Sequence, residues 1–535
     1  MRKHWKKALL GFLAALMLLT VSAAAEETEG AAGMTGEPET AAADILPTEP
    51  ADEAGELIWV EAVETIGIER GGEPEVSLSA AENFAAAAEQ LAAGLRAFQT
   101  EISISESCGI VNTNANIQKL VDMACHNNPD LFMVQSGETW GIGYTNGGIL
   151  VSLTPPAYTM TPAEYKPKKE FYDREIERIA GLVDPEWSDL EQVLFIHDYL
   201  AANYEYDTSY TIHDAYNFLS QKTGVCESYT RVFIALMQKL GIPVSYVESS
   251  NKNHIWNLVQ IGGHWYHVDV TFDDPVNDRL GCARHMYFLR SDGGLEGHDV
   301  EGEERDWVYG VSESCTDTTY DSYFWGKANT PFLEVDGTWY FIESDSYLSD
   351  DGKSTVVTAS RLMRWDEGDG TDNQVLKSGF TTGGSGLGYF AGKLYYNTFF
   401  DLCSYDLKTG ETKTLFTDAS IYITGSRLES GEDGTVLQYQ QDSIIYELTI
   451  DPYKPVAGGG YGYYQEADTV YLRLVGTNMI AVAWYQNGKM LGAALYTGAG
   501  EYSSTSKPGA TEARIIAVEG TEQWGPICEA LSLVA

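Results

Sequence analysis

Hydrophobic positions divide the chain into a helical first half and a strand-rich second half. Up to about residue 240, apolar residues recur every three or four positions, the spacing of one face of an amphipathic helix. Beyond about residue 325 they alternate in short runs between turn-forming residues, which is typical of half-buried strands. The periodicity predicts helices near 79–98, 116–126, 167–183, 187–203 and 226–240, and strands at 130–134 and 149–153.

The helix predicted to begin near Cys226 has clear limits. Polar, turn-forming residues precede it, and its apolar face stops at Gly241 and Pro243, which are typical of a helix C-terminus. Cys226 therefore falls in the first turn, where unpaired N–H groups and the positive end of the helix dipole favour a thiolate. The alternative is a small, buried, inert residue, which is a common role for a free cysteine.

Two runs of branched and aromatic residues flank Gly262-Gly263, a two-residue hairpin signal. In the register that this turn sets, Trp256 faces Asp269. His254 then faces Thr271 and becomes a diagonal neighbour of Asp269 on one side of the ribbon. Diagonal pairs lie roughly 7–8 Å apart by Cα and closer by side chain. The pattern therefore predicts an imidazole beside a carboxylate.

A cysteine, a histidine and an aspartate thus occupy three predicted rigid elements, in an arrangement that suits thiolate catalysis. Cys226 supplies the nucleophile, His254 a base, and Asp269 a carboxylate that orients the base. Each has a plainer explanation when taken alone, since His254 could be a polar residue of an edge strand and Asp269 the cap of a turn. The nearby His267 is interpreted as a packing or supporting residue and not as the base.

Three segments resemble the motifs of the transglutaminase-like superfamily. Residues 225–229 are similar to its cysteine motif, 254–259 to its histidine motif and 263–274 to its aspartate motif. Upstream, residues 196–207 resemble the helix that precedes the core in bacterial members. The resemblance covers about residues 187–275.

The resemblance implies a role for each residue of the triad. Cys226 would be the nucleophile, His254 the general base and acid, and Asp269 the residue that orients the imidazole. The oxyanion would be held by the backbone N–H of Cys226 and one upstream donor. His197 and Tyr229 would be structural. The candidates for oxyanion or supporting contacts are Tyr216, Trp256 and Asn257.

The implied reaction is attack of the thiolate on an amide carbonyl to give a thioester. An amine acceptor would then give an isopeptide crosslink, and water would give deamidation, proteolysis or amidase activity. The sequence does not choose between these acceptors. We expect no cofactor and no metal, because calcium-binding motifs are not recognisable and the acidic pair at 273–274 is typical of a turn.

Three similar two-strand units follow residue 325, beginning at Gly337, Gly392 and Gly434. Their irregular spacing is of the size of propeller blades, although three units are fewer than a closed propeller normally needs. An open β-meander is the alternative. The last segment alternates again, with Asn487-Gly488 as a type I′ hairpin signal, and it predicts a small β-sandwich. Its tyrosines at 461, 463 and 464 could contact carbohydrate, although packing is the plainer role.

These patterns predict the α+β fold class. A papain-like, transglutaminase-like core carries an N-terminal α+β unit and is followed by all-β propeller-like repeats and a C-terminal β-sandwich. The predicted boundaries are 1–25 for a signal peptide, 26–75 for an acidic disordered linker, 76–165 for the N-terminal unit, 166–325 for the catalytic domain, 326–455 for the repeats and 456–535 for the sandwich.

Charge and the first residues bear on where such a protein would act. Its 535 residues carry a formal charge of −44, and a basic start followed by an apolar run and Ala23-Ala24-Ala25 is typical of a secretory signal peptide. Cleavage after Ala25 would remove four basic residues and leave −48. Such a surface repels nucleic acid and anionic membranes and favours basic substrates. We expect a secreted or cell-surface protein that is not inserted in the membrane.

The seven cysteines are too few for a disulfide framework, and their odd number leaves at least one free thiol, for which Cys226 is the obvious candidate. Pairs between Cys108 and Cys125, or between Cys282 and Cys315, could form in an oxidising compartment. No CxxC or metal-binding spacing occurs.

The leading hypothesis is a secreted cysteine-dependent acyl transferase or hydrolase that acts on amide bonds of protein or peptide substrates. Its β-rich modules would position it on a cell-surface polymer or glycan. The alternative is a catalytically silent transglutaminase-like scaffold, or a surface- or glycan-binding protein.

Overall fold

The computed structural model divides the chain after Ala41. All residues that the structure describes lie after this point. The predicted signal peptide, 1–25, and most of the predicted linker, 26–75, lie outside them. The described residues are 66–68, 80–134, 139–274, 279–300, 302–348, 355–365, 373–431, 434–456, 460–475, 479–519, 525–526 and 531–534.

Two helices and a four-stranded sheet form the first packed region. The apolar side chains that recur along both helices meet those of the sheet in one core, which includes Leu91, Leu120 and Trp140. The sheet has the order β1-β3-β4-β2. The elements are α1 (Ala80–Arg96), α2 (Asn114–His126), β1 (Ile66–Ile68), β2 (Ile102–Ser103), β3 (Gly141–Thr145) and β4 (Leu150–Thr154), with a 3₁₀ turn at Glu106–Cys108.

The prediction of a strand at 130–134 is wrong. These residues form turns and bends, yet Leu131, Phe132 and Met133 are buried. Their apolar character therefore reflects the burial of a connecting segment and not strand pairing. A short apolar run in the sequence does not distinguish these two cases. Residues Ile66–Ile68, inside the predicted linker, pair in parallel with β3.

The second packed region surrounds the helix that begins at Cys226. This helix is buried from Ser228 to Met237 and packs against a five-stranded sheet of order β10-β9-β8-β7-β11. The helices are α3 (Pro162–Ala180), α4 (Asp189–Asn203), α5 (Ala215–Gln221), α6 (Cys226–Leu240) and α7 (Val270–Asp273). The strands are β5 (Glu205–Tyr206), β6 (Thr223–Gly224), β7 (Val244–Ser249), β8 (His254–Ile261), β9 (His264–Val268), β10 (Phe288–Arg290) and β11 (Val308–Tyr309).

The hairpin between β8 and β9 has the predicted turn. Ile261 pairs with His264, and the ladder continues in that register along both strands. Gly262 and Gly263 adopt φ values of 59° and 87°. Positive φ at both central residues defines the type I′ turn and explains the two glycines, because other residues enter this region only with strain.

The register holds only as far as the pair Asn257–Val268. Strand β9 ends there, and Asp269 becomes the N-cap of α7. The predicted pairing of His254 with Thr271 is therefore wrong, since Thr271 is helical. The loss of strand pairing nevertheless leaves His254 and Asp269 in contact, as described below.

A buried ion-pair network ties α4 to the segment that follows Asp269. His197 donates from Nδ1 to Asp198 Oδ1 at 2.8 Å and from Nε2 to Asp273 Oδ2 at 3.1 Å. His285 Nε2 donates to the same Asp198 oxygen at 2.7 Å, and the Phe332 N–H donates to Asp198 Oδ2 at 2.6 Å. Asp198 thus joins α4 to the loop at 285 and to the start of the β-rich half. The role of His197 is structural, as the sequence predicts.

This network makes the free energy of unfolding fall as pH rises above neutral. Burial alone would lower the pKa of His197, but its hydrogen bonds to Asp198 and Asp273 raise that pKa to about 9. A histidine with a raised pKa contributes its full stabilisation below about pH 6.5, where it is protonated in both states. This contribution is lost progressively as pH rises through 9. We expect the free energy of unfolding to fall between pH 7 and pH 10. Denaturant titrations across this range, with His197→Gln as the comparison, measure the effect, and an equal slope in both proteins would contradict it.

Three antiparallel sheets follow along the chain, each with its strands in sequence order. No strand pairing among the described residues joins one of these sheets to the next, so the propeller-like arrangement of the repeats stays a prediction, with the open β-meander as its alternative. A 3₁₀ turn at Phe324–Lys327 precedes them. The strands are β12 (Leu333–Val335), β13 (Thr338–Leu348), β14 (Thr355–Trp365) and β15 (Gln374–Phe380); β16 (Gly388–Phe390), β17 (Lys393–Asn397), β18 (Asp401–Asp406) and β19 (Thr412–Thr417); and β20 (Ile423–Gly431), β21 (Gly434–Gln441) and β22 (Ile444–Asp451).

Two further sheets at the end of the chain share one hydrophobic core around Leu472, Val482 and Ile515. Asn487 and Gly488 have φ values of 50° and 74°, as a type I′ turn requires. The sandwich itself stays a prediction. The strands are β23 (Lys454–Val456), β24 (Tyr461–Glu466), β25 (Thr469–Leu474), β26 (Met479–Gln486), β27 (Lys489–Thr497), β28 (Gly500–Thr505), β29 (Glu512–Glu519), β30 (Gly525–Pro526) and β31 (Leu531–Val534).

Tyr461 is not part of an aromatic surface. It is 3% exposed and belongs to the core of these two sheets, whereas Tyr463 and Tyr464 are half-buried. Packing therefore explains Tyr461, and it is no longer a candidate for carbohydrate contact.

Neither a membrane-spanning helix nor a disulfide is found in the part of the chain that the structure describes. No helix there is long and apolar enough to cross a membrane. All six described cysteines, Cys226 among them, are free, and Cys528 lies outside the described residues.

Candidate active site

Cys226 is the first residue of α6. Val225 precedes it as an N-cap in extended conformation, with no side chain to cap the helix. The N–H groups of a first helical turn lack partners within the helix, so they point at whatever lies in front of it. The Cys226 side chain is half-buried, as a nucleophile that must meet a substrate needs to be. The predicted helix start is confirmed, and so is its end, since Gly241 closes the helix with φ 80°.

His254 and Asp269 form a buried hydrogen-bonded pair. His254 Nε2 donates to Asp269 Oδ2 at 2.6 Å, and each residue is 1% exposed. Burial by itself would lower the pKa of His254, but the charge and the hydrogen bond of Asp269 outweigh it and raise that pKa well above its usual value. Burial would likewise raise the pKa of Asp269, yet the charges and hydrogen bonds of the neighbouring imidazoles lower it. The pair therefore favours an imidazolium beside a carboxylate.

The second ring nitrogen of His254 is available to Cys226. Nδ1 is buried and has no partner of regular hydrogen-bond geometry among the described residues. The Cys226 side chain is nevertheless near enough to contribute to the raised pKa of His254. The thiol is thus close to the ring without the alignment of a full hydrogen bond, which is common in active sites before substrate binds.

Aromatic rings fix the plane of the His254 imidazole. The ring of Phe272 stacks on it at 4.4 Å between centroids and 23° between planes. Trp256 stacks on it at 5.5 Å and 21°. Such contacts leave the imidazole little freedom to rotate away from Asp269, which is the kind of preorganisation that a catalytic base would need.

The two carboxylate oxygens of Asp269 have different partners. Its Oδ1 accepts the N–H of Phe272 at 3.1 Å and so caps α7. Its Oδ2 faces His254. Asp269 therefore caps α7 with one carboxylate oxygen and binds the His254 imidazole with the other.

His298 is a site residue that the sequence analysis missed. Its Nε2 lies 2.7 Å from Asp269 Oδ2, the same oxygen that binds His254, and the residue is 1% exposed. Its other nitrogen lies 3.3 Å from the carbonyl of Glu296. The ring packs on Trp256 and Phe272. It comes from a loop 29 residues after Asp269, with no periodic pattern around it, so no local signal could have placed it here.

Replacing His298 tests its support of Asp269. His298→Asn removes one of two imidazoles that hold Oδ2, so the carboxylate can rotate away from His254. We expect alkylation of Cys226 at pH 6.5 to slow by up to about 10²-fold, the effect that a roughly 1 Å misplacement in a site can have. The matched control is Asp299→Asn, an exposed neighbour paired with Arg305, which should leave the rate unchanged. Equal rates in both variants would show that His298 does not position the triad.

The other sequence candidates have separate places. Trp256 contacts the site directly, and its indole Nε1–H donates to His267 Nδ1 at 2.9 Å. His267 donates in turn to Asp292 Oδ1 at 2.8 Å, which fits the predicted supporting role. Asn257 points elsewhere, since its Nδ2 donates to the Thr230 carbonyl on α6 at 3.1 Å.

Tyr216 lies in an aromatic group on α5. Its ring centroid is 5.4 Å from that of Phe132 and 5.7 Å from that of Phe171, and the Lys168 ammonium lies over the ring at 4.9 Å. Aromatic packing accounts for this position. The role of Tyr216 as an oxyanion donor stays a prediction. Tyr229 is buried in α6 and donates to Asp274, so its contacts are structural.

The site also has a donor set that a metal could use. Ligand-type atoms of His254, Asp269 and His298 lie within 4.8 Å of one another. The contacts of both imidazoles with Asp269 are hydrogen bonds of 2.6 and 2.7 Å, which already use one nitrogen of each ring. An imidazole held in this way could also exchange a proton with a neighbouring thiol.

Comparison with known proteins identifies the domain that contains Cys226, His254 and Asp269. Residues 177–270 match the family model of the transglutaminase-like superfamily, so this part of the chain is a transglutaminase-like domain and the predicted resemblance is confirmed. A search of curated proteins gives no match.

Solved structures resemble parts of the chain. A transglutaminase structure is 15% identical over 25% of this chain and 44% of its own, with a TM-score of 0.18. A proposed cysteine protease from Cytophaga hutchinsonii is 19% identical over 25% of this chain and 61% of its own, with a TM-score of 0.16. The extracellular domain of a proposed one-component system from B. thetaiotaomicron is 10% identical over 52% and 41%, with a TM-score of 0.20. The chain thus spans less than two thirds of each of these structures.

Proposed function

We propose that the protein is a cysteine-dependent enzyme that cleaves or transfers acyl groups at amide bonds, with Cys226, His254 and Asp269 as its triad. One observation carries the proposal: an imidazole bound to a buried carboxylate and stacked on two aromatic rings lies beside a cysteine at the first turn of a helix. The transglutaminase-like match over 177–270 supports the same class of chemistry.

In the proposed mechanism the Cys226 thiolate attacks the amide carbonyl carbon, and the carbonyl π electrons move onto oxygen. The backbone N–H groups at the start of α6 would stabilise that oxyanion. As the C–N bond breaks, the His254 imidazolium gives its proton to the departing nitrogen, which leaves as ammonia or an amine. The thioester remains on Cys226 and His254 is neutral.

The second half restores the enzyme. Neutral His254 takes a proton from the acceptor, water or an amine, which attacks the thioester carbonyl. The C–S bond then breaks and the thiolate–imidazolium pair forms again. Asp269 keeps its charge throughout and holds the ring in place, since burial and two imidazoles stabilise its ionised form.

We further propose that the protein acts outside the cell on a basic protein or peptide. The pattern of residues 1–25 supports secretion, and a formal charge of −44 favours cationic partners. The β-rich second half would hold it on a cell-surface polymer or glycan.

A paired donor and acceptor assay tests the activity. The protein is incubated with a glutamine-containing peptide, with and without a fluorescent alkylamine, and ammonia, amine incorporation and peptide cleavage are measured beside Cys226→Ala. Amine incorporation supports transfer, and ammonia or cleavage without incorporation supports hydrolysis. If neither product forms across a set of basic peptides, and both proteins behave alike, the silent-scaffold alternative replaces the proposal.

A further inference from the structure

A second group of ionisable side chains lies where α2 meets the β7 strand of the five-stranded sheet. Asp122 and His126 stand four residues apart on α2 and so share one face of the helix, while Glu248 reaches them from β7. One oxygen of each carboxylate and one ring nitrogen lie within 4.8 Å of one another. Asp122 is 7% exposed and His126 is 2% exposed. Three potential ligand atoms thus converge in a buried place.

Hydrogen bonding accounts for only part of this convergence: Asp122 Oδ1 accepts from Gln118 Nε2 at 2.8 Å. His126 Nε2 lies 2.6 Å from Glu248 Oε1, yet that oxygen has no hydrogen-bond partner of acceptable geometry among the described residues, and neither has His126 Nδ1. Elsewhere in the chain the buried imidazoles of His197 and His267 use both of their nitrogens in hydrogen bonds. A buried polar atom without a partner needs an explanation, and here two such atoms belong to one cluster of possible metal ligands.

The surrounding charges favour a cation. Glu227, the residue after Cys226, accepts from Arg231 Nη2 at 2.5 Å, and both are close enough to act electrostatically on Asp122. The Glu227 carboxylate is thus paired with Arg231, and His213 Nδ1 lies 3.2 Å from its other oxygen. The cluster itself brings two carboxylates, of Asp122 and Glu248, together with one imidazole. A divalent ion would compensate the charges of these two carboxylates.

We propose that Asp122, His126 and Glu248 form a binding site for a divalent transition-metal ion of the zinc type. One imidazole nitrogen and two carboxylate oxygens suit such an ion, whereas Ca²⁺ and Mg²⁺ prefer a larger set of oxygens. A tetrahedral ion with bonds of about 2.1 Å holds neighbouring ligand atoms about 3.4 Å apart, so the contacting atoms of His126 and Glu248 need to separate by less than ~1 Å. The ion would fasten the first packed region to the sheet on which α6 rests.

Zinc binding by the full chain with Cys226→Ser tests the site, because a catalytic thiolate could itself capture zinc. After chelator treatment, Zn²⁺ is titrated by equilibrium dialysis and metal content is measured. We expect one Zn²⁺ per chain and a thermal midpoint that rises with the free Zn²⁺ concentration. Adding His126→Gln or Glu248→Gln should weaken binding by on the order of 100-fold. Adding His264→Gln, which removes an exposed histidine, should change nothing.

Two results would overturn the site. One is the absence of stoichiometric zinc in the folded Cys226→Ser protein, which would leave the cluster as a charge network only. The other is undiminished zinc in both ligand variants, which would place the ion elsewhere. Circular dichroism of each variant shows whether it folds. The two substitutions lie on different elements, so one variant can still test the site if the other fails to fold. Neither result bears on the proposed reaction, which does not involve this ion.

Discussion

Replacing His254 by alanine is expected to lower amide turnover by at least about 10³-fold. The variant keeps Cys226 but removes the group that would take and return its proton, and general acid–base catalysis of this kind contributes roughly 10²–10⁴-fold. Loss of the imidazolium also destabilises the thiolate, so the effect should lie in the upper part of that range. The donor and acceptor assay gives the measurement, with the product that the wild-type protein forms.

His264→Ala is the matched control for this prediction. His264 lies in the same hairpin, at the turn end of β9, and its side chain is 61% exposed. It should retain turnover within about twofold, since exposed substitutions away from a site have small effects. Comparable losses in both variants would mean that disturbance of the hairpin, and not removal of the base, causes the defect.

The largest expected effect on stability comes from Asp198→Asn. Its carboxylate accepts hydrogen bonds from His197, His285 and the backbone of Phe332, and all of these groups are buried. Asparagine keeps the shape but removes the charge. Its NH₂ group would also face one of the N–H donors from which the carboxylate now accepts. Removing one partner from a buried charged network costs about 3–5 kcal/mol. We expect a loss of this size in the free energy of unfolding, measured by denaturant titration at pH 7.

An exposed aspartate provides the comparison. Asp173→Asn removes a surface ion pair with Lys169, in which the Asp173 side chain is 56% exposed. Exposed pairs contribute about 0–1 kcal/mol, so this variant should remain close to wild type. A loss below ~1 kcal/mol for Asp198→Asn would show that the network does not join α4 to the β-rich half in the way its hydrogen bonds indicate.

The sequence was sufficient for those parts of the site that depend on local rules. Helix periodicity and the Gly241 stop placed Cys226 in a first turn, and the two-glycine turn set the β8–β9 register. Alternate residues of a hairpin strand lie on the same face, so this register predicted that His254 lies near Asp269. The predicted pairing failed beyond Val268 because a single carboxylate, Asp269, capped a new helix, and such a local cap competes with strand pairing.

Other features depend on contacts between distant segments. His298 reaches Asp269 from a loop, and its position follows from packing against Trp256 and Phe272. The buried loop around Phe132 has the same apolar composition as a strand, so only the folded chain separates the two. The Asp122, His126 and Glu248 group joins a helix and a strand 122 residues apart in the chain, a distance that local patterns do not bridge.

The central claim is that Cys226 and His254 form a thiolate–imidazolium pair, and the pH dependence of Cys226 alkylation tests it most directly. Iodoacetamide labelling of this residue would be followed by mass spectrometry from pH 5 to pH 10, in the wild-type protein and in His254→Ala. The raised pKa of His254 predicts fast labelling that persists well below pH 8.5, about the value of an unperturbed thiol, and its loss in the variant. Slow labelling that rises near pH 8.5 in both proteins would contradict the claim.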